Sequence, residues 1–300
     1  MLRLATDVEQ VARQLFEPLT LQLVRLFSQR LSDETVALLD AVADGMSSPD
    51  AALRTFSARC MAEFLNWSIK QAGPKEPDSP TNLDALLRRL FALAQHPSPY
   101  RRAGAATAFN FMYRHLRENE DLVDRYALEL VHTMLDMLRV SAQDPPAFGT
   151  SELAAAAVDH LLRIVVRKAE LLSCTNVERS TFAPSTVMAL ADWLFEHVGA
   201  KETQFRRKCQ QLFDRIAVTV AGDPSGASIA ADILSREGLA KVVSYCEAHG
   251  GVGSLPPALA VRGHDGVAET MEWMVNLSTA LDAYTWMFRR GYLSPLEALS

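Results

Sequence analysis

Apolar residues recur at helical spacing along almost the whole chain of 300 residues. In the segment that begins at Leu83, they occupy relative positions 0, 3, 4, 7, 8 and 11, which lie on one face of a 3.6-residue helix. Thr81, with Asp84 three positions later, is the predicted N-terminal cap of this helix. No segment shows the two-residue alternation of a half-buried strand, and no Asn-Gly or Asp-Gly turn joins two β-rich runs. The pattern therefore predicts an all-α protein.

Clusters of Gly, Pro and Ser divide the chain at intervals of about 15 to 25 residues, so we expect about twelve helices paired as hairpins. The longest irregular stretches are expected to be surface loops near 71–81, 173–185 and 249–266.

A weak internal repeat indicates how these hairpins are arranged. An apolar residue and an arginine precede a small residue in Leu53-Arg54-x-x-Ser57, Tyr100-Arg101-x-x-Gly104 and Phe205-Arg206-x-x-Cys209, and apolar pairs follow at 64–65, 111–112 and 216–217. Small residues let paired helices approach closely while neighbouring units bury the larger side chains. This pattern is typical of HEAT repeats. It predicts a HEAT-like α-α superhelical solenoid, an armadillo-type array of right-handed helical hairpins, with residues 1–300 as a single segment.

Both ends of the chain are apolar where a capping unit would be polar. Leu2, Leu4 and Val8 come at the start. The last predicted helix, 273–290, is expected to expose Met274, Leu277, Leu281, Tyr284, Trp286, Met287 and Phe288. Because terminal repeats of an array need a polar outer face, we expect the chain to be a slice of a longer array.

Charge and cysteine content exclude several classes of protein. Thirty basic and 36 acidic residues give a net charge of −6, whereas a stand-alone nucleic-acid-binding domain is usually basic. Cys60, Cys174, Cys209 and Cys246 form no C-x-x-C pair, which favours buried reduced thiols in a cytosolic or nuclear protein over disulfides or a zinc site. The chain shows neither a secretory signal in its first ten residues nor an apolar run of about 18 residues.

No constellation of residues indicates catalysis. Glu129-x-x-His132 is the single match to the metal-binding pair of helical bundles, and one match of a two-residue pattern is expected by chance. His264-Asp265 lacks companion ligands, and the glycine-rich segment 250–254 has neither a preceding strand nor a following lysine. We predict no catalytic, cofactor-binding or metal-binding residue in this chain.

Three basic clusters lie at or near helix starts. Arg88-Arg89, Arg101-Arg102 and Arg206-Arg207-Lys208 could line a groove that meets phosphate oxygens. We favour solvated helix faces, with one arginine inside each repeat paired to a neighbouring carboxylate. Residues that contact nucleic acid or a partner stay unknown at this point.

Two dipeptides, Ser28-Gln29 and Thr203-Gln204, match the minimal target of DNA-damage kinases. Motifs this short carry little information, so phosphorylation of Ser28 or Thr203 stays open.

Several segments, in the same order, resemble the middle HEAT region of the DNA-dependent protein kinase catalytic subunits, a family of phosphoinositide-3-kinase-like kinases. They are 16–23, 33–41, 59–71, 96–110, 158–164 and 205–213, with tryptophan, cysteine and proline at fixed places. The resemblance covers nearly all of residues 8–245 and becomes weaker towards the C-terminus.

The resemblance implies a scaffold segment of a nuclear serine/threonine kinase in DNA double-strand break repair by non-homologous end joining. Its partners would be DNA ends, the Ku heterodimer and neighbouring HEAT repeats, with no membrane. The kinase domain of this family lies far to the C-terminal side, so ATP and magnesium are implied only there. The family tends to have a basic loop at 173–184, where this chain has Arg179 beside Glu178, so a DNA-contact or import role of that loop is not carried over.

Two other interpretations remain. One is an unrelated HEAT adaptor, such as a transport receptor or phosphatase scaffold, which binds peptides on its concave face. The other is a helical-bundle metalloenzyme that uses Glu129 and His132.

Overall fold

The computed structural model describes residues 1–29, 32–70, 79–118, 120–167, 187–221 and 265–292. These ranges hold ten α-helices and two short 3-10 helices and no strand, which confirms the all-α prediction and is consistent with a helical solenoid. About twelve helices were expected for the whole chain. The ten are α1 (Gln10–Phe27), α2 (Asp33–Met46), α3 (Ala51–Lys70), α4 (Leu83–Ala94), α5 (Pro99–Arg117), α6 (Glu120–Ser141), α7 (Thr150–Arg167), α8 (Val187–Glu196), α9 (Thr203–Ala221) and α10 (Asp265–Arg290).

The three predicted loops fall mostly outside the described ranges. Residues 79–81 form an irregular turn before α4, as expected. Asp265 and Gly266 were predicted to lie in a loop but are the first residues of α10, because an isolated glycine does not stop a helix. Within the described helices, none is both long and apolar enough to cross a membrane.

Helix α4 shows both the strength and the limit of the sequence pattern. Its predicted apolar stripe is confirmed, since Leu86, Leu87 and Leu90 are buried. The predicted cap is wrong by one residue. Asn82, not Thr81, caps the helix by accepting a hydrogen bond from the backbone N–H of Ala85 at 2.7 Å. Thr81 is instead buried, and because threonine and asparagine both cap helices well, the residue type could not separate them.

The chain divides into two compact units, which are described separately. Unit 1 comprises Met1–Val123 and Thr133–Ile164, and unit 2 comprises Asp124–His132 and Val165–Ser300. Helix α6 contributes residues to both. That residues 1–300 form a single segment of one array stays a prediction.

In unit 1 the odd-numbered helices pack side by side. Helix α1 contacts α3, and α3 contacts α5. Helix α5 reaches α7 where the Asn110 amide donates to the Leu153 carbonyl at 3.3 Å. Helices α2 and α4 pack on α3 and α5 respectively. Helices α2 to α5 thus each contact their hairpin partner and a helix of the neighbouring hairpin, as in stacked repeats.

Two helices of unit 1 approach each other more closely at Gly104 than any side chain would allow. A Cβ atom at this position would lie 2.2 Å from the carbonyl oxygen of Met46, in the last turn of α2. Real Cβ atoms do not come so near to a backbone oxygen, so the contact between α2 and α5 requires glycine here. A small residue thus permits close helix approach here, but between helices of neighbouring hairpins and not, as predicted, within one pair.

In unit 2, α8 packs against α9, and aromatic rings fill the space around Phe213. The ring centroids of Phe195, Trp286 and Tyr292 lie 5.3, 5.7 and 5.6 Å from that of Phe213. Tilted and edge-to-face pairs at these distances stabilise a core beyond the burial of their surface.

Candidate functional site

Three arginines hold the turn that precedes their own helix. In each case Nη1 donates to the carbonyls six and five residues earlier, at 2.6 to 3.2 Å. Because a planar guanidinium fixes both carbonyls at once, it holds the turn in one geometry. We call each arrangement an arginine clamp. The clamps are Arg54 on Ser48 and Pro49, Arg102 on His96 and Pro97, and Arg206 on Ala200 and Lys201.

The Arg102 clamp also binds a carboxylate. Its Nη2 donates to both side-chain oxygens of Asp144 at 2.5 and 2.6 Å, and its Nε donates to Ser141 Oγ at 3.2 Å. Thr150 completes the group by donating to Asp144 at 2.6 Å. The Arg102 side chain is only 2% exposed. A buried charge is tolerated only when it is paired, so this pair joins the start of α5 firmly to the end of α6 and the start of α7.

The other two clamps differ in their second partner. Arg206 donates from Nε to Asp282 at 2.8 Å and so ties α9 to α10. Within the described ranges no carboxylate forms an ion pair with Arg54. Its guanidinium carbon lies 5.6 Å from the centre of the Tyr100 ring instead, and burial lowers the pKa of Arg54. Two of the three clamps therefore form an ion pair with a carboxylate that is distant in the sequence, and the third contacts a distant aromatic ring.

The predicted register of the second repeat is wrong by one residue. Arg102, not Arg101, corresponds to Arg54 and Arg206, and Arg101 is exposed. The predicted apolar pair at 111–112 shifts in the same way, because Phe111 is 43% exposed whereas Met112 and Tyr113 are buried. The sequence favoured Arg101 because Tyr100 supplies the apolar residue that the pattern requires before the arginine, whereas Arg102 follows another arginine. The clamp and burial of Arg102, together with the burial of residues 112–113, establish the register.

One arginine of each basic cluster pairs with a carboxylate. The interpretation of a repeat-internal arginine paired with a carboxylate is confirmed for Arg206 and, one residue after the predicted position, for Arg102, but no described ion pair involves Arg54. Arg89 pairs with Asp40 at 2.7 Å. Their neighbours Arg88, Arg101 and Arg207 are exposed. A nucleic-acid contact of those three stays untested.

The weak metal-site candidate gains no further ligand within the described ranges. Glu129 and His132 lie on α6, and the His132 ring packs on Trp193 with centroids 4.7 Å apart. Among the described residues, no group of three or more His, Cys, Asp or Glu could hold a metal ion. His264 and residues 250–254 lie outside those ranges. That the segment needs no cofactor stays a prediction.

The two candidate phosphorylation sites differ in access. Ser28 is buried and donates to the Arg25 carbonyl at 2.8 Å. Thr203 is exposed at the first residue of α9. A kinase could therefore reach Thr203 in the folded chain but not Ser28.

The thiols that the structure describes are buried, as predicted. Cys60 and Cys209 are free and fully covered. Burial raises the pKa of Cys60 to about 12 and that of Cys209 well above its usual value. Since the thiolate is the reactive form, both are inert packing residues. Cys174 and Cys246 lie outside the described ranges.

A buried carboxylate that the sequence did not reveal organises unit 2. Asp214 on α9 accepts hydrogen bonds from Tyr292 Oη at 2.9 Å and Trp286 Nε1 at 3.2 Å, and it pairs with Arg290 at 2.7 Å. The donors come from the end of α10 and the residues after it, over 70 positions away. No local pattern signals such a contact.

Tyr292→Phe should destabilise the chain near neutral pH and make it less sensitive to alkali. Burial, and then the charge of Asp214, raise the pKa of Tyr292, whereas an unfolded tyrosine ionises near pH ~10. The phenol thus stabilises the fold below pH ~10, and this contribution is lost as pH rises towards the folded pKa. At pH 8 we expect a loss of about 1.5–3 kcal/mol in the free energy of unfolding, because a hydrogen bond to a charged group is removed.

Urea denaturation of both proteins at pH 8 and pH 11 measures this effect. The difference between wild type and Tyr292→Phe should narrow at the higher pH, and other alkaline titrations cancel in that difference. An equal difference at both pH values would contradict the role of the phenol proton.

Two helices carry an exposed apolar face opposite their buried one. On α1 it consists of Val11, Leu15, Leu19 and Leu26, which are 39–68% exposed; we call it the α1 outer face. On α10 it consists of Met271, Met274, Val275, Leu281 and Phe288. This agrees with the predicted exposure of 274, 281 and 288, but Met287, also predicted to be exposed, is fully buried because it lies on the opposite face. Contiguous exposed apolar patches mark interaction sites.

Comparison with known proteins places this architecture in a family. The family model described as "DNA-dependent protein kinase catalytic subunit, CC1/2" matches residues 1–300. Proteins named DNA-dependent protein kinase catalytic subunit from Mus musculus, Gallus gallus and Canis lupus familiaris are 34%, 35% and 36% identical over the whole of this chain. The chain spans only 8% of the length of each. It therefore belongs to the DNA-dependent protein kinase catalytic subunit family and corresponds to a fragment of those much longer proteins.

Proposed function

We propose that the chain is a non-catalytic scaffold segment of a DNA-dependent serine/threonine kinase that acts in double-strand break repair by non-homologous end joining. The observation that carries this proposal is the family match over all 300 residues. A match of that extent disfavours the alternative of an unrelated HEAT adaptor. No feature of the described residues specifically supports that alternative.

The contacts within each unit suit a positional role. Ion pairs of buried arginines join helices that are distant in sequence: Arg102 with Asp144, which is 12% exposed, and Arg206 with Asp282, which is 40% exposed. Breaking such a pair leaves an uncompensated buried charge, so the helices resist being pulled apart. A stiff segment of this kind holds other parts of a large protein at fixed distances.

The remaining parts of the proposal concern the longer protein. Its partners would be DNA ends, the Ku heterodimer and the neighbouring repeats, in the nucleus. ATP and magnesium would bind at a kinase domain elsewhere in the polypeptide. In this scheme the segment contributes no catalytic residue, and it transmits the DNA-bound state to that distant domain.

Kinase assays on the full-length parent protein test the proposal. We expect that deletion of the stretch equivalent to residues 1–300, or Arg102→Ala within it, abolishes or strongly reduces DNA-stimulated phosphorylation. Basal phosphorylation without DNA should persist, which shows that the kinase domain is folded. The exposed neighbour Arg101 provides the matched control, as Arg101→Ala should leave stimulation unchanged. Undiminished stimulation after the deletion would refute the proposed role.

A further inference from the structure

A stacked pair of rings joins α5 to α7 in the C-terminal half of both helices. The rings of Tyr113 and His160 are parallel, with their centroids 3.8 Å apart and an angle of 3° between their planes. Asn110 fixes the His160 ring, because its side-chain oxygen lies 2.9 Å from Nδ1. The amide nitrogen of Asn110 donates to the Leu153 carbonyl at 3.3 Å. These contacts hold neighbouring turns of α5 and α7 side by side.

Three arginines surround this pair of rings. Arg114 and Arg117 follow Tyr113 by one and four positions on α5, and Arg163 follows His160 by three positions on α7. A hydrogen bond with Arg114, together with the positive charges of all three arginines, lowers the pKa of Tyr113. Burial and the charges of Arg163 and Arg114 lower the pKa of His160. The three guanidinium groups therefore lie close together, and we call them the α5–α7 arginine cluster.

Within the part of the chain that the structure describes, this cluster forms no ion pair. Arg114 and Arg163 are exposed, and Arg117 is partly exposed. The clamp arginines Arg102 and Arg206, by contrast, are buried and paired with carboxylates. Cations held close together repel one another, so an anion that neutralises them binds favourably.

An exposed aromatic ring lies beside the cluster. Phe111 is 43% exposed and precedes Arg114 by three positions, so the two side chains are neighbours on α5. Between α1 and α10, in the described ranges, Val218 is the one other large apolar residue with comparable exposure. Aromatic residues and arginines are enriched together at protein interfaces. The surface therefore offers an apolar contact next to an anion site.

The surroundings of the cluster favour one compact anionic group over a long polyanion. The charge of Glu118, just after α5, acts on Arg114, and the charge of Asp159 on α7 acts on His160. These carboxylates would repel the successive phosphates of a nucleic acid strand. A single phosphate group can contact the guanidinium groups alone.

We propose that the α5–α7 arginine cluster and Phe111 bind a peptide that carries one phosphoserine or phosphothreonine. The phosphate has a charge of about −1.5 to −2 at neutral pH and accepts hydrogen bonds from Arg114 and Arg163. Phe111 contacts an apolar side chain next to the phosphorylated residue. Arginine clusters recognise phosphopeptides in this way, because a planar guanidinium donates two parallel hydrogen bonds to one phosphate. The inference does not depend on the proposed role in end joining.

Photo-crosslinking of a synthetic peptide to the full-length parent protein, without DNA or Ku, tests the inference. The probe carries one phosphoserine between a leucine and a benzophenone amino acid, and the control probe is the same peptide without phosphate. Below saturation, we expect about tenfold or more adduct at residues 111–117 or at 163 with the phosphorylated probe, the effect of at least one charge-assisted hydrogen bond.

Variants of single arginines show whether the cluster itself binds the probe. Arg163→Ala and Arg114→Ala, on different helices, should each lower the adduct about tenfold. Arg101→Ala is the matched control, because Arg101 is exposed on α5 but lies near its other end. It should leave the adduct unchanged. Limited proteolysis across 99–167 should be the same in all variants, which shows that these helices stay folded.

Two competitors separate the possible sources of the phosphate. Inorganic phosphate at the probe concentration should not displace the probe, because it lacks the apolar contact. A single-stranded oligonucleotide with the same concentration of phosphate groups should not displace it either. Equal adduct from the unphosphorylated peptide, displacement by either competitor, or undiminished adduct in both arginine variants would each overturn the proposal.

Discussion

Arg102→Ala should lower the free energy of unfolding by about 3–5 kcal/mol, the usual cost of removing one member of a buried ion pair. The substitution strands the Asp144 carboxylate, whose side chain is 12% exposed. It also removes the donor to the carbonyls of His96 and Pro97. Urea denaturation followed by circular dichroism measures the loss.

Two further variants make this prediction specific. Arg101→Ala, one residue away and exposed, should change stability by no more than ~0.5 kcal/mol, as surface substitutions usually do. Arg102→Met combined with Asp144→Leu should recover much of the loss, because an apolar pair leaves no buried charge. If Arg101→Ala and Arg102→Ala cost the same, the register found here is incorrect.

Gly104→Ala should destabilise unit 1 by about 3 kcal/mol, at the upper end of the usual range for overpacking. The new methyl group would lie 2.2 Å from the Met46 carbonyl oxygen. That oxygen belongs to the backbone, so α2 or α5 must move as a whole. Thermal or urea unfolding detects the change.

Gly149→Ala is the control for this prediction, because it adds the same methyl group at a glycine that has no close helix neighbour. Gly149 has a φ of 61° and no neighbour closer than 3.9 Å, so only backbone strain of about 1–2 kcal/mol is expected there. In a helix with free space, Gly→Ala stabilises by about 1 kcal/mol. A gain in stability for Gly104→Ala would therefore show that the two helices are not in contact at this point.

The sequence predicted the helices well because their stability depends on local patterns. The stripe of α4, with Leu86 and Leu90, follows from spacing alone and is buried as expected. The sequence was less able to decide which of two adjacent residues has a given role. Thr81 and Asn82 are both good caps, so the residue type could not decide between them. The apolar Tyr100 favoured Arg101 as the repeat arginine, and only the tertiary contacts of Arg102 show that the register is shifted by one.

The candidate sites were less predictable because they depend on distant residues. Asp144 follows Arg102 by 42 positions, and Tyr292 follows Asp214 by 78. Nothing in the local sequence of either carboxylate indicates its partner. The repeat did suggest that an arginine in each unit would meet a carboxylate, but not which carboxylate.

The absence of a close ion pair at Arg54 among the described residues, where Asp50 acts only by its nearby charge, has a mechanical consequence. Bending at the turn before α5, which the Arg102 clamp holds, would separate the buried Arg102 guanidinium from the Asp144 carboxylate. The free-energy cost of this separation rises steeply even for small displacements. The turn at residues 47–50, before α3, is held by hydrogen bonds from Arg54 to the carbonyls of Ser48 and Pro49 and by the contact of Arg54 with the Tyr100 ring. These contacts tolerate small shifts. Under load, the turn held by Arg54 should therefore yield before the turn held by Arg102.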